Sequence, residues 1–222
     1  MRIGVLGTGV VGSTIASALV AAGEQVMMGS RSKGNAKAVA WASQAGPNAA
    51  EGSFRDTAAY SEALFNCTAG IASLEALEQA GSENLRGKIL IDLANPLDFS
   101  KGMPPTLTVC NTDSLGEQIQ RAYPECRVVK TLNTINCKVM VQPALVPGTH
   151  NVFLSGNDAA ARAQVAEWLG RWFGWKPDSF IDLGDITSAR GTEMMLPVWI
   201  RLFTVFGHAN INYYIAGQPS RR

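Results

Sequence analysis

The chain has 222 residues, 46% of them hydrophobic and 17% charged, with 19 Lys+Arg against 18 Asp+Glu. That length and composition suit a single domain with a sizeable core, and the near-neutral balance argues against nucleic acid or a membrane surface as partner. The opening residues are expected to be a strand rather than a signal peptide, no apolar run in the sequence reaches membrane-spanning length, and the four cysteines (Cys67, Cys110, Cys126, Cys137) form no C-x-x-C pair. These features predict a cytoplasmic protein with free thiols and neither a disulfide frame nor a metal site.

Ile3, Val5 and Leu6 read as a buried strand, and Val11, Ile15 and Leu19 as one stripe of a helix. Between them Gly7, Thr8, Gly9, Val10, Val11 and Gly12 spell G-x-G-x-x-G. In that strand–turn–helix context the motif predicts a dinucleotide site. Gly7 makes the tight turn, Gly9 lets backbone approach a pyrophosphate, and Gly12 lets the helix pack on the strand. The unpaired N–H groups at the helix start then face the phosphates.

A second strand is expected over Gln25 to Met28, followed by Gly29, Ser30, Arg31, Ser32 and Lys33. An NAD site places a carboxylate here for the ribose hydroxyls, yet no Asp or Glu occurs from Gln25 to Ala50. Ser30, Arg31, Ser32, Lys33 and Lys37 instead supply hydroxyls and positive charge, which suit the 2′-phosphate of NADP. Ala36 to Ala45 reads as a helix, Ala49 to Ser53 as a weak strand, and Ala63 to Cys67 as a stronger one ending at Thr68, Ala69 and Gly70. A helix over Leu74 to Ala80, a strand over Lys88 to Leu93 and the loop at Asn95 and Pro96 follow. Ser100 to Thr106 reads as loop, Leu115 to Ala122 as helix, and Arg127 to Leu132 as a sixth strand leading to Asn133.

This alternation predicts an α/β fold, a doubly wound and mostly parallel Rossmann sheet, with every strand's carboxyl end on one rim. Gly7, Ser30, Ala69, Asn95 and Asn133 would line that rim. Residues 1–150 form the dinucleotide-binding core. Residues 151–222 of the same single domain add strands at Asn151 to Ser155 and Phe180 to Leu183, a helix capped near Asp158, and one long C-terminal helix over Thr192 to Phe206, kinked at Pro197. That helix is apolar almost all round. It is expected either to be core or to leave one face for a second subunit, and the homodimer is favoured. Gly217 to Arg222 is expected to be disordered.

The chemistry of the rim is short of acids and bases. Tyr60, Tyr123, Tyr213 and Tyr214 have no lysine four residues on. His150 and His208 are expected at the surface, Cys67 in the core, and Lys130 and Lys138 in structural or solvated roles. No catalytic acid or base is therefore assigned, which suits an acceptor that takes a bare hydride.

Gly7 to Gly12, Gly29-Ser30-Arg31, Asn95-Pro96-Leu97, Val129 to Thr134 and Asp182-Leu183-Gly184 together resemble the NADP oxidoreductases dependent on the deazaflavin coenzyme F-420. The cytosolic reductase domain of the six-transmembrane metalloreductases is similar. The resemblance implies direct hydride transfer between NADP(H) and a deazaflavin or flavin ring. It implies that Thr8, Ser30, Arg31 and Lys37 hold the NADP phosphate and that Ala69, Gly70, Asn95 and Pro96 border the nicotinamide. It further implies that Asn133, Thr134 and Ile135 line the acceptor pocket; Met194 and Met195, at the start of the C-terminal helix, are expected to wall it because flexible thioethers adapt to flat rings. Archaeal members carry a histidine after the sixth strand, and Asn133 to Met140 contains none. Other readings are a reductase of a small organic substrate or ferric chelate, an enzyme of the β-hydroxyacid or imine-reductase kind, against which the segment after His150 is too short for that group's large helical domain, and a non-enzymatic NADP redox sensor.

Overall fold

A computed structural model describes residues 1–217. In chain order the elements are β1 (Arg2–Leu6), α1 (Val10–Ala21), β2 (Gln25–Ser30), α2 (Ala36–Ala45), β3 (Ala49–Ser53), α3 (Phe54–Tyr60), β4 (Ala63–Asn66), α4 (Ser73–Ala80), α5 (Ser82–Leu85) and β5 (Ile89–Asp92). There follow β6 (Leu97–Asp98), β7 (Thr106–Leu107), α6 (Leu115–Ala122), β8 (Arg127–Thr131), α7 (Cys137–Val141), β9 (Val152–Ser155), α8 (Ala159–Phe173), β10 (Phe180–Asp182), α9 (Ala189–Met194) and α10 (Leu196–Phe206). Eight strands form one sheet in the order β10-β9-β8-β5-β4-β1-β2-β3. The segment read as loop over Ser100 to Thr106 is the turn of a small hairpin, β6 pairing antiparallel with β7.

Strand alternation builds the two cores. Ile3, Val5, Phe65, Ile91 and Val129 face α1 and α8, while Leu6, Leu64, Leu90 and Val128 face α3, α4 and α6. Each fully buried side chain of this size contributes roughly 1.5–3 kcal/mol. A sheet covered on both faces is what its near-continuous apolar strands require.

One topological expectation is corrected. From β3 to β8 the strands are parallel, but β9 runs antiparallel to β8, and β10 follows β9. A parallel return needs a long crossover. The connection from Thr131 to Val152 has enough residues, but its helix α7 has only five, too short to carry the chain back along the length of the sheet. It stays at the carboxyl rim, so β9 starts there and runs back. The shared rim therefore belongs to the six parallel strands and not to β9 or β10.

The C-terminal helix is two helices. The break falls at Met195, and Pro197 sits in the first turn of α10 rather than kinking its middle, where its missing N–H costs nothing. Only Leu196 and Ile200 of α10 are buried, while Val198, Phe203, Val205 and Phe206 are exposed. The helix is therefore not core within one chain. Helix α3 is not among the elements expected from the sequence; its start is a capping box between Ser53 and Asp56. Of the tail expected to be disordered, residues 218–222 lie outside the described residues.

Candidate functional site

The glycine turn joins β1 to α1 at the centre of the carboxyl rim. Gly7 has φ +120°, and a side chain there would meet the Cys67 carbonyl oxygen at 2.7 Å. A Cβ on Gly12 would lie 2.1 Å from the Gly7 oxygen. Gly9 differs: nothing lies within 4 Å of its would-be Cβ. That space is open above a helix whose N-terminus has no side-chain cap and no acid in its first turn. Free N–H groups and the helix dipole thus face an open cradle, the chemistry that holds a phosphate.

On one side of this turn lies the end of β2. Arg31, Ser32, Lys33 and Lys37 are exposed. Ser30 is the last residue of β2 rather than part of the loop; it is buried, and its hydroxyl donates to the Ser32 carbonyl at 2.6 Å. Its hydroxyl therefore shapes the loop. Glu51, the first carboxylate after β2, accepts from the Gly34 N–H at 3.0 Å and anchors the same loop. The exposed groups here are cationic, as a 2′-phosphate requires.

Two grooves meet over β1 and β4. A proximal groove of about 330 Å³ runs between Gly9, Arg31, Phe54, Thr68 and Glu75. A distal groove of about 380 Å³ is lined by Val11, Ala69, Gly70, Ala94, Asn95 and Phe99. Cys67, Thr68 and Ala69 border both. The predicted Gly7, Thr8, Gly9, Val11, Arg31, Thr68, Ala69, Gly70 and Asn95 are thus brought together, and Phe54, Glu75 and Phe99 join them unforeseen. Phe54 and Glu75 lie on α3 and α4, helices whose place on the rim only the fold decides.

The far wall is rigid. Gly70 packs so closely on the next loop that a Cβ there would lie 2.0 Å from the Asn95 oxygen. Asn95 Nδ2 donates to the Asn133 carbonyl at 2.8 Å, and Asn133 Nδ2 donates to Asn95 Oδ1 at 2.9 Å. Leu132, just before, holds φ +58°, a conformation that costs an L-residue about 1–2 kcal/mol. Behind this wall, on the face of Leu64, Leu90 and Val128, the register aligns Asn66 with Asp92 and Asp92 with Lys130. All three are buried, and Glu193 of α9 closes on Lys130 at 2.9 Å.

Residues 2–96 match the family described as "NADP oxidoreductase coenzyme F420-dependent". The chain is 53% identical to "a putative f420 dependent nadp-reductase from arthrobacter sp. fb24", over 98% of this chain and 100% of that one, with a TM-score of 0.92.

The chain belongs to this family. As an NADP-dependent oxidoreductase it is also similar to metalloreductase STEAP3 of Rattus norvegicus, 30% identical over 89% of this chain and 38% of the relative. It thus spans well under half of that relative's length. An imine reductase from Myxococcus stipitatus shares the fold at 17% identity and a TM-score of 0.64, over 93% of this chain and 63% of that one.

In this oxidoreductase several expected placements change. His150 is not at the surface. It is buried, with Nε2 3.1 Å from the Pro143 carbonyl and Nδ1 2.9 Å from Asn212 Nδ2, and it packs edge-on against Trp175. His208 is exposed. Asn133, Thr134 and Ile135 are buried and do not line either of the two grooves, and of the three it is Asn133 that pairs with Asn95. Pro96 is buried within that loop. Met194 and Met195 stand at the α9–α10 junction, outside the lining of both grooves. Burial, and next the nearby Asp92, push the Cys67 thiol well above its ordinary range, so it stays a neutral, unreactive floor. Burial opposes the charge of Lys130, but Asp92 and Glu193 outweigh it and hold the ammonium above the usual lysine value. An ammonium so held does not deliver protons at neutral pH.

Proposed function

We propose that this enzyme transfers a hydride between NADP(H) and a flat ring acceptor, coenzyme F-420 or a flavin, at the distal groove. The observation that carries this reading is the composition of that groove. Val11, Ile71, Leu93, Leu97 and Phe99 supply an apolar lining, and the ionisable group at its lip is Asp98. Asp98 accepts from the Ser100 N–H at 2.8 Å and the Ser100 hydroxyl at 2.9 Å, which together hold its carboxyl below the ordinary range. It stays a carboxylate and offers no proton. A ring that accepts a bare hydride needs none.

In this reading the Gly9 cradle and the α1 N-terminus hold the pyrophosphate, and Arg31, Ser32, Lys33 and Lys37 hold the 2′-phosphate. Thr68, Ala69, Gly70 and Asn95 place the nicotinamide against the apolar wall. The bound coenzyme supplies the hydride chemistry itself. The residues of the chain orient the ring and exclude water from the space beside it. A second copy of the chain, laid on the exposed apolar side of α10, completes the assembly, since such a contiguous patch is unusual on a monomer. A ferric chelate is the second reading, favoured by the similarity to metalloreductase STEAP3.

The test is NADPH oxidation against F-420, flavin mononucleotide, a ferric chelate and a simple carbonyl. Turnover with a ring acceptor and none with the carbonyl is expected. Faster turnover of the ferric chelate than of either ring supports the second reading, and reduction of the carbonyl alone overturns both. Coenzyme choice is tested beside it. Arg31→Ala should weaken NADPH by about 1.5–3 kcal/mol, the worth of a charge-assisted hydrogen bond, and leave NADH unchanged. Equal losses for the two coenzymes would refute the role given to Arg31.

A further inference from the structure

We propose that Lys130 is a positioning residue for hydride transfer: from behind the sheet it sets the two loops that wall the distal groove. The inference rests on the coenzyme placement given above and adds a group that touches neither coenzyme nor acceptor.

The Lys130 ammonium meets one backbone carbonyl and two carboxylates. It donates to the Ala94 carbonyl at 2.6 Å and lies 2.6 Å from Asp92 Oδ2 and 2.9 Å from Glu193 Oε1. Its side chain has no exposure at all. The Glu193 carboxylate also accepts the first N–H groups of α6, from Leu115 at 2.8 Å and Gly116 at 3.0 Å. Replacing such a buried ionic cluster by apolar side chains is often neutral or stabilising. The preceding positions on the same face, Leu64, Leu90 and Val128, are apolar. Stability therefore does not call for this cluster, and what it holds in place does.

It holds both walls of the groove. Asp92 Oδ1 accepts from the Ala94 N–H at 3.1 Å and from Asn66 Nδ2 at 2.8 Å. Asn66 Oδ1 in turn accepts from the Thr68 hydroxyl at 2.6 Å. Thr68 forms the floor shared by the grooves and Ala94 belongs to the distal wall. Both are thus suspended from Asp92, and Asp92 and the Ala94 carbonyl are both fixed by Lys130. The tight contact of Gly70 with the Asn95 carbonyl transmits any shift of one wall to the other. Hydride transfer needs its reacting atoms within about 3–3.5 Å, and a 1 Å misplacement costs about a hundredfold.

The experiment compares two ligands on wild type and Lys130→Met. Adenosine 2′,5′-bisphosphate reports only the proximal groove and cation loop; NADPH adds the nicotinamide. The variant should bind the bisphosphate within about twofold of wild type and NADPH about tenfold more weakly, with single-turnover hydride transfer about a hundredfold slower. If Lys130→Met does not fold, Asp92→Asn decides: it is isosteric and turns an amide toward the ammonium. Equal weakening of both ligands, or unchanged binding of both, overturns the proposal. Failure of the wild type to bind the bisphosphate would instead refute the coenzyme placement, and the proposal with it.

Discussion

Two glycines of one motif should respond in opposite ways to the same methyl group. Gly9→Ala places a Cβ in open space, at an extended backbone (φ −78°, ψ −177°) that alanine adopts freely. The poorer N-cap costs up to about 1 kcal/mol, and the stiffer unfolded chain returns about 0.4–1 kcal/mol. The melting temperature should stay within about 3 °C of wild type. Its methyl group, however, occupies the phosphate cradle, so NADPH should bind at least about tenfold more weakly, a loss of about 1.4 kcal/mol. Gly12→Ala places its Cβ 2.1 Å from the Gly7 oxygen, a backbone atom that cannot turn away. Overpacking of this kind costs about 3 kcal/mol, against about 1 kcal/mol gained from helix propensity. The net loss of about 2 kcal/mol should lower the melting temperature by about 4–8 °C. Thermal unfolding followed by circular dichroism and NADPH titration by fluorescence measure both effects. Native NADPH affinity in Gly9→Ala, or a native melting temperature in Gly12→Ala, would refute the reasoning.

Three further outcomes are expected. His150→Ala should cost about 2–4 kcal/mol of stability, because both ring nitrogens and the Trp175 contact are lost; His208→Ala should cost none. Neither should slow the folded enzyme by more than about tenfold, and a hundredfold fall in kcat for either would identify a protein acid. Glu117 is held below the ordinary carboxylate range chiefly by Arg190, at 2.8 and 2.5 Å. A lowered folded-state value means stability present above the unfolded value near 4.3 and lost as pH falls through the folded one. Glu117→Gln should therefore cost about 1–2 kcal/mol at pH 7, allowing for the exposed side of Arg190. Urea unfolding should show that cost shrinking toward pH 3, and a cost that grows instead contradicts the linkage. Val205→Asp combined with Phe206→Asp should convert a dimer to a folded monomer in sedimentation velocity; a wild type that is monomeric at micromolar concentration rules the α10 dimer out.

Much of the coenzyme half is legible in the linear chain because its signals are local. The turn at Gly7 to Gly12 depends on backbone freedom within a few residues. The cationic loop at Arg31 to Lys37 stands out because carboxylates are missing from a short stretch. Strands β1, β4, β5 and β8 are apolar runs between turn residues, and their expected bounds match the structure within a residue or two. The capping box at Ser53 and Asp56 is equally local. The direction of β9 is not, because it depends on which rim the Thr131–Val152 connection ends at. Nor is the burial of His150, which is decided by Trp175, Pro143 and Asn212 converging from distant positions.

The sequence by itself determined a Rossmann core, its glycine turn and the cationic loop beside it, since glycine geometry and charge act over one turn of chain. The tertiary structure alone decided that Asn66, Asp92 and Lys130 stand side by side. Each is an isolated polar residue at the end of an apolar run, and only strand register brings them to one row. It also decided that Glu193, 63 residues after Lys130, closes that row from a helix on the same face. Ion pairing is a short-range matter in space and carries no periodicity along the chain, so no pattern in the sequence announces it.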